Sequence, residues 1–258
     1  NGRKELKELP YTLPFARTDE DTQTLQITME DQISKCTLDL YYTVFYECDI
    51  ISRYYTVTYH GNKSVKIEKS MSLSVDIPAS KPMDWISLNG GYGIERYYVQ
   101  RTPIILGKQS ISSNRGASSA HHNPFIAVCE QKATENKGDV YGFNFVYSGS
   151  FLDEIELDQN RTTRIQIGLG QDNFGWLLKS GENFTTPEAI MTYTNKGIGQ
   201  MSRNFHDFIR SHIVPPRSLT NRRPVVLNTW EASFFDIDEE KLLVFAQAAN
   251  DVGIDMLV

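Results

Sequence analysis

Three groups of residues in this chain of 258 have types and spacing that could do chemistry. The first is Arg223-Pro224-Val225-Val226-Leu227-Asn228-Thr229-Trp230-Glu231-Ala232-Ser233-Phe234-Phe235-Asp236, with Asp238 two residues on. An apolar run ends on an indole and then on carboxylates. An indole offers a large flat apolar surface and one N–H donor, the pairing on which the apolar face of a sugar ring stacks. Trp230 suits a second role equally well, as a core residue that seals a barrel against a neighbouring domain. Asp236 and Asp238 resemble a general acid/base pair, but two acids on one short loop are a weak signal. Asp238 also stands where a helix N-cap is wanted.

The second group is glycine-rich: Leu88-Asn89-Gly90-Gly91-Tyr92-Gly93. A phosphate-binding loop would need a lysine and a following helix, and a dinucleotide fingerprint would need a strand-to-helix context. Neither is present, so the expected structure is a β turn that presents Tyr92. Gly168-Leu169-Gly170 is no stronger. The third group is His121 and His122. Neighbours on an extended chain point to opposite faces. They would not share an ion, no acidic ligand set lies nearby, and a polar network holding a long loop is expected instead of a metal site. No G-x-S-x-G turn occurs, so a hydrolase triad of that kind has no support. Cys36, Cys48 and Cys129 are odd in number and lack C-x-x-C spacing, which argues against a disulfide framework or a zinc site. The N-x-[ST] tripeptides at Asn62, Asn160 and Asn183 are of a kind that chance supplies freely.

Composition narrows the classes. Hydrophobic residues at 40% and charged residues at 22% are an ordinary globular balance. The net charge of -6 disfavours nucleic acid as a partner, because phosphate binding needs a basic face. No apolar run approaches the roughly 20 residues that span a bilayer. No signal-peptide core follows Asn1-Gly2-Arg3-Lys4, and a cytoplasmic protein is expected. The chain opens without an initiator Met and closes on the apolar run Gly253-Ile254-Asp255-Met256-Leu257-Val258, from which a piece of a longer protein is expected.

The elements that must position these groups fall into two styles. Over residues 24–77 apolar and polar residues alternate: Cys36, Leu38, Leu40, Tyr42 and Val44 against Thr37, Asp39, Tyr41 and Thr43. A period of two predicts strands with one buried and one wet face. Strands are expected over 50–59 and 64–77, then 97–99, 109–112, 125–129, 140–147 and 164–167. Short turns between them imply antiparallel pairing and a sandwich. After Thr185 the pattern turns helical. Thr186-Pro187-Glu188-Ala189 reads as a helix start, and Met201, Phe205, Phe208 and Ile209 sit at helical spacing. The Val214-Pro215-Pro216-Arg217 connector marks a domain boundary. Beyond it, 224–229 reads as a buried strand. Asp238 caps a helix with apolar stripe Leu242, Leu243, Phe245, Ala246 and Ala249; Gly253 ends it, and 254–258 begins another strand. Strand, crossover helix and strand in so short a span imply parallel pairing.

The residues Asn228-Thr229-Trp230-Glu231-Ala232-Ser233-Phe234-Phe235-Asp236 resemble the N-W-E-A-T-Y-F-D signature of glycoside hydrolase family 36 α-galactosidases. Further stretches are similar in the same order: 107–111 with Arg115-Gly116-Ala117-Ser118-Ser119 and His122-Asn123-Pro124-Phe125; Val140-Tyr141-Gly142-Phe143 with Tyr147-Ser148-Gly149; Pro187-Glu188-Ala189; and Met201-Ser202-Arg203-Asn204-Phe205-His206. The resemblance implies a mainly β chain: an antiparallel β-supersandwich over 1–185, a helical linker over 186–222, and the first βαβ unit of a truncated (β/α)8 barrel over 223–258. It implies a retaining enzyme that releases terminal α-linked galactose from raffinose-type oligosaccharides or melibiose, needs no cofactor or metal, and assembles as a homotetramer. The family's nucleophile and acid/base are Asp residues on later barrel strands, so no residue here takes either role and the fragment is expected to be inactive. Two substrate-binding positions carry over. Trp230 matches the Trp that lines the sugar pocket. Tyr92, in Gly91-Tyr92-Gly93-Ile94-Glu95-Arg96, aligns with a G-A-W-A-R-E-R stretch whose Trp reaches a neighbouring subunit's site; Tyr keeps a stacking surface but shrinks it. Two alternatives stay open: a non-catalytic carbohydrate-binding or oligomerisation module, and a parent acting on α-N-acetylgalactosaminides.

Overall fold

Alternation of apolar and polar residues builds nearly half of the chain into strands, as a computed structural model shows for residues 2–9, 22–78, 81–118, 120–172 and 174–258. Asn1, and Ser119 of the Arg115-to-Ser119 stretch, lie outside these. In chain order the strands are β1 (Gly2–Leu9), β2 (Thr22–Asp31), β3 (Cys36–Phe45), β4 (Ile50–Tyr59), β5 (Val65–Ile67), β6 (Ser70–Pro78), β7 (Met83–Asn89) and β8 (Tyr98–Pro103). They continue with β9 (Gly107–Ser113), β10 (His122–Glu130), β11 (Val140–Val146), β12 (Phe151–Leu157), β13 (Thr162–Leu169), β14 (Trp176–Leu178), β15 (Asn183–Thr185) and β16 (Glu188–Thr194).

Among the described residues ten of these form one sheet, ordered β1-β2-β3-β4-β16-β11-β10-β7-β8, with β15 also paired to β4. A second sheet runs β6-β13-β12-β9, and β14 pairs with β5. The ladders are antiparallel, as expected from the short turns. The two sheets face each other across one core. Trp85, Ile126, Val128, Phe143, Phe145 and Ala189 point inward from the large sheet. Leu73, Ile77, Ile111, Phe151, Ile155, Ile165 and Ile167 answer from the small one.

The other face of the large sheet is covered by helix α1 (Gly197–Phe208), which continues as a π turn over Ile209–Ile213. Its apolar stripe, Met201, Phe205 and Phe208, is buried, and each such side chain contributes on the order of 2 kcal/mol. Close approach depends on Gly142 of β11. A Cβ there would lie 2.6 Å from Phe205 Cε2 and 2.7 Å from Met201 Cγ. Buried Asn204 fixes the register, donating to Thr192 Oγ1 at 2.9 Å, while that hydroxyl donates to the Asp49 carbonyl at 2.7 Å.

Several expectations are corrected. Thr186-Pro187-Glu188-Ala189 leads into strand β16, not a helix. Ala189 and Ile190 are fully buried in the middle of the sheet, between β11 and β4, and that burial outweighs the helix-start pattern. Residues 64–77 form two strands. On β3 the buried side chains are Thr43 and Phe45 and not the Cys36-to-Val44 series, because Thr43 bonds Thr24 at 2.9 Å and Phe208 packs edge-on to Phe45 at 4.8 Å. Strands β1, β7, β12, β14 and β15 lie outside the expected strand ranges.

The chain divides into compact units at 212/213, beside the Pro215-Pro216 connector. The second unit holds helix α2 (Pro216–Thr220), β17 (Val226–Leu227), α3 (Trp230–Ser233), α4 (Glu239–Asp251) and β18 (Met256–Leu257). β17 and β18 pair in parallel, Val226 opposite Met256 and Leu227 opposite Leu257. Asp238 caps α4 as expected, accepting from Lys241 N at 2.8 Å, and Gly253 ends it with φ 77°. The expected stripe on α4 is only partly covered: Ala249 is buried, Leu242 and Phe245 are half-buried, and Leu243 and Ala246 are exposed. Two short strands offer too little area to cover more. Among the described residues no helix is long and apolar enough to cross a membrane.

Candidate functional site

Trp230 opens α3, three residues beyond the C-terminal end of β17. Side chains placed there on parallel strands are presented and not buried in the sheet. Its position is set from both sides. Thr229, itself buried, donates from N and from Oγ1 to the Val258 carbonyl at 2.9 and 3.1 Å. The Trp230 N–H goes to Asn228 Oδ1 at 2.9 Å. Trp230 is 36% exposed. Phe234 and Phe235 meet it nearly perpendicularly, with centroids at 5.5 and 5.0 Å. Phe234 adopts φ 49°, a conformation costly for a residue with a Cβ, and that turn brings both phenyl rings against the indole. The result is an open aromatic surface suited to stacking.

The carboxylates beside it do not form an acid/base pair. Lys241 Nζ reaches Asp236 Oδ2 at 2.8 Å and Asp238 Oδ2 at 3.5 Å. Lys241's own pKa is pushed up, first by the bond it donates to Asp236. The backbone N–H of Lys241 holds the Asp238 carboxyl below the usual carboxylate range. A depressed carboxyl that caps a helix is a poor proton donor.

Tyr92 belongs to the first unit. It is 89% exposed at the tip of the loop between β7 and β8. The Ile94 N–H bonds the Gly91 carbonyl at 3.1 Å, and Gly93 takes φ 74°, the left-handed conformation a glycine allows in such a turn. The expected role of the histidines is visible here. Gly90 N donates to the His121 carbonyl at 3.0 Å, and His122 Nδ1 lies 2.9 Å from Asn89 Oδ1. Burial first, then His121 and Arg115, pushes the His122 pKa down, so a neutral ring holds Asn89. Asn89 in turn donates to Gln100 Oε1 at 2.8 Å, tying the loop base to β8. Gly90 itself is hemmed in by backbone: a Cβ would stand 2.3 Å from the Ile94 carbonyl oxygen. These glycines shape a turn and cradle no phosphate.

Sequence patterns do not mark one further feature, a cleft lined by Tyr147, Phe174, Trp176 and Phe184 with Asn114 and Asn183. Its residues come from four separated segments, so spacing along the chain carries no trace of it. The only local signal is Trp176, an indole in a three-residue strand with a polar loop before it.

Comparison with known proteins shows what the chain is similar to. Residues 1–179 match the family model for the glycosyl hydrolase family 36 N-terminal domain, and residues 183–258 match the melibiase model. The chain is 38% identical over 257 residues to alpha-galactosidase AgaA of Geobacillus stearothermophilus, covering 100% of this chain and 35% of that protein. The crystal structure of an alpha-galactosidase from Lactobacillus brevis superposes with TM-score 0.91 at 37% identity, over 99% of this chain and 35% of that one. A variant of the Geobacillus enzyme in complex with raffinose gives TM-score 0.91 at 35% identity, over 99% and 36%. The chain thus spans about a third of the length of these relatives.

Proposed function

The chain belongs to glycosyl hydrolase family 36, and from that premise we propose that it is part of an α-galactosidase that removes terminal α-linked galactose from raffinose-type oligosaccharides and melibiose. What carries this proposal is the match along the whole chain to α-galactosidases, one of whose solved relatives holds raffinose. The 223–258 segment is the first βαβ unit of a catalytic (β/α)8 barrel, with Trp230 at the barrel mouth as a stacking platform for the galactose ring. Tyr92 reaches the site of a neighbouring subunit in a homotetramer and there contacts sugar beyond the terminal galactose.

The chemistry is a double displacement. A carboxylate attacks the anomeric carbon while a second carboxyl group protonates the departing glycosidic oxygen. The second group then takes a proton from water, whose oxygen displaces the first carboxylate and restores the starting configuration; such pairs sit about 5 Å apart. Neither role falls to a residue of this chain: the family resemblance puts both on later barrel strands, and Asp236 and Asp238 are engaged by Lys241. The 258 residues alone therefore hold sugar surface without a nucleophile. Hydrolysis of a chromogenic α-galactoside tests this in two arms. A protein of the relatives' full length that carries this sequence turns the substrate over, and the 258-residue chain does not. Turnover by the short chain overturns the assignment of the acids elsewhere; an inactive full-length protein overturns the activity.

A further inference from the structure

The end of the sandwich that carries the Tyr92 loop also carries a cleft of about 510 Å³. Backbone bonds join the loops around it. Gly116 N donates to the Ser150 hydroxyl at 2.9 Å, Ser118 N to the Ser148 carbonyl at 2.8 Å, and Gly90 N to the His121 carbonyl at 3.0 Å. Phe184 is buried at the base. Phe174 and Trp176 pack on it with centroids 5.5 and 5.4 Å away, inclined by 49° and 46°. Trp176 nonetheless stays 49% exposed. Tyr147, also exposed, lies over Gly149, where a Cβ would come within 2.4 Å of its ring. The rim is polar: Asn114 donates to Asp172 Oδ2 at 3.3 Å, and Asn183 is exposed.

The chemistry of this lining selects a ligand class. Among the described residues no Lys or Arg lines the cleft itself; Arg115 and Lys66 stand only next to lining residues, Lys66 paired with Glu68 at 3.3 Å, and Asp172 adds negative charge at the rim, so phosphate and carboxylate ligands find little counter-charge. A wholly apolar ligand would strip water from the carboxamides without replacing their hydrogen bonds. A cavity within the range of about 300–1,000 Å³ suits a small molecule, whereas a stable protein partner covers about 800 Å² on each side. A neutral pyranose satisfies both parts of the lining. Its C–H face stacks on an indole, and its hydroxyls bond amides and a carboxylate.

We propose that this cleft is a saccharide site that takes a neutral hexopyranoside unit. Trp176 supplies the stacking face, and Asn114, Asn183 and Asp172 bond the hydroxyls. All its lining residues belong to the first unit; only the choice of probe sugar is borrowed from the α-galactosidase assignment. Raffinose is titrated into the chain while the indole N–H resonances of Trp85, Trp176 and Trp230 are followed by NMR, assigned with single Trp→Phe variants. The Trp176 signal shifts and saturates with a Kd on the order of 1 mM. By calorimetry, Asn183→Ala weakens that Kd roughly two- to tenfold, the worth of one hydrogen bond. Trp230→Ala leaves the Trp176 shift intact. A stationary Trp176 signal overturns the proposal, as does movement of Trp230 alone, or an equal shift with glycerol in place of raffinose. Any of these alongside an active full-length enzyme removes the cleft and leaves the α-galactosidase assignment standing.

Discussion

Asp153 offers the sharpest test of how the sandwich is held. It lies on β12 between Phe151 and Ile155, on the face that enters the core, and its cross-strand partner is Ile167. Asp153 is 1% exposed, and among the described residues neither carboxyl oxygen finds a hydrogen-bond partner. Burial pushes its pKa well above the ordinary range, so the folded chain keeps the proton that the unfolded chain releases near pH 4. The sign follows directly. The folded state binds more protons, so stability is greatest below the unfolded pKa and falls as pH rises toward the folded one. One retained proton sets a slope of about 1.4 kcal/mol per pH unit across that window. Asp153→Asn keeps the shape, cannot ionise, and removes the slope. Urea denaturation followed by far-UV circular dichroism, at intervals from about pH 5 to pH 8, measures the difference. The variant gains on the parent chain as pH rises, up to the folded-state pKa of Asp153. Two stability curves that run parallel across this range would refute a neutral, unpaired carboxyl in the core.

Three further outcomes are expected. Gly142→Ala drives a methyl into Phe205 and Met201 and destabilises the docking of α1 by about 1–3 kcal/mol, read as a lower urea midpoint and faster amide exchange along α1. Asp238→Ala frays the start of α4, so the Lys241 amide exchanges faster. In the parent chain the same loss sets in as pH falls through the Asp238 pKa, because a carboxyl held low in the folded state stabilises only while ionised. In a full-length enzyme Trp230→Ala lowers kcat/KM by roughly tenfold, about 1.4 kcal/mol of lost stacking, whereas Tyr92→Ala raises KM with kcat little changed, because the contact proposed for it is to sugar beyond the terminal galactose. Unchanged kinetics in both variants would remove these residues from the substrate site.

Local chemistry determined some features before any packing was known. Asp238 and Gly253 delimit α4 because a cap and a left-handed glycine act within a few residues of themselves. The strand at Ile50–Tyr59 and the parallel return of 254–258 were legible for the same reason: pleat alternation and crossover length are properties of short segments. The aromatic character of the Trp230 and Tyr92 sites was equally plain in the residues. Their exposure was not. It depends on backbone turns that the residue types do not announce, such as the left-handed Phe234 that sets two phenyl rings against Trp230. Tertiary structure alone turned the apparent helix start at Thr186-Pro187 into a central strand, since pairing on both edges and burial on both faces outweigh a weak local preference. It alone placed Asp153 among isoleucines and phenylalanines, and it alone gathered Asn114, Tyr147, Trp176 and Asn183 around one cleft. Residues that far apart in the chain meet only when the sheets close on their common core, and nothing in their individual neighbourhoods encodes that meeting.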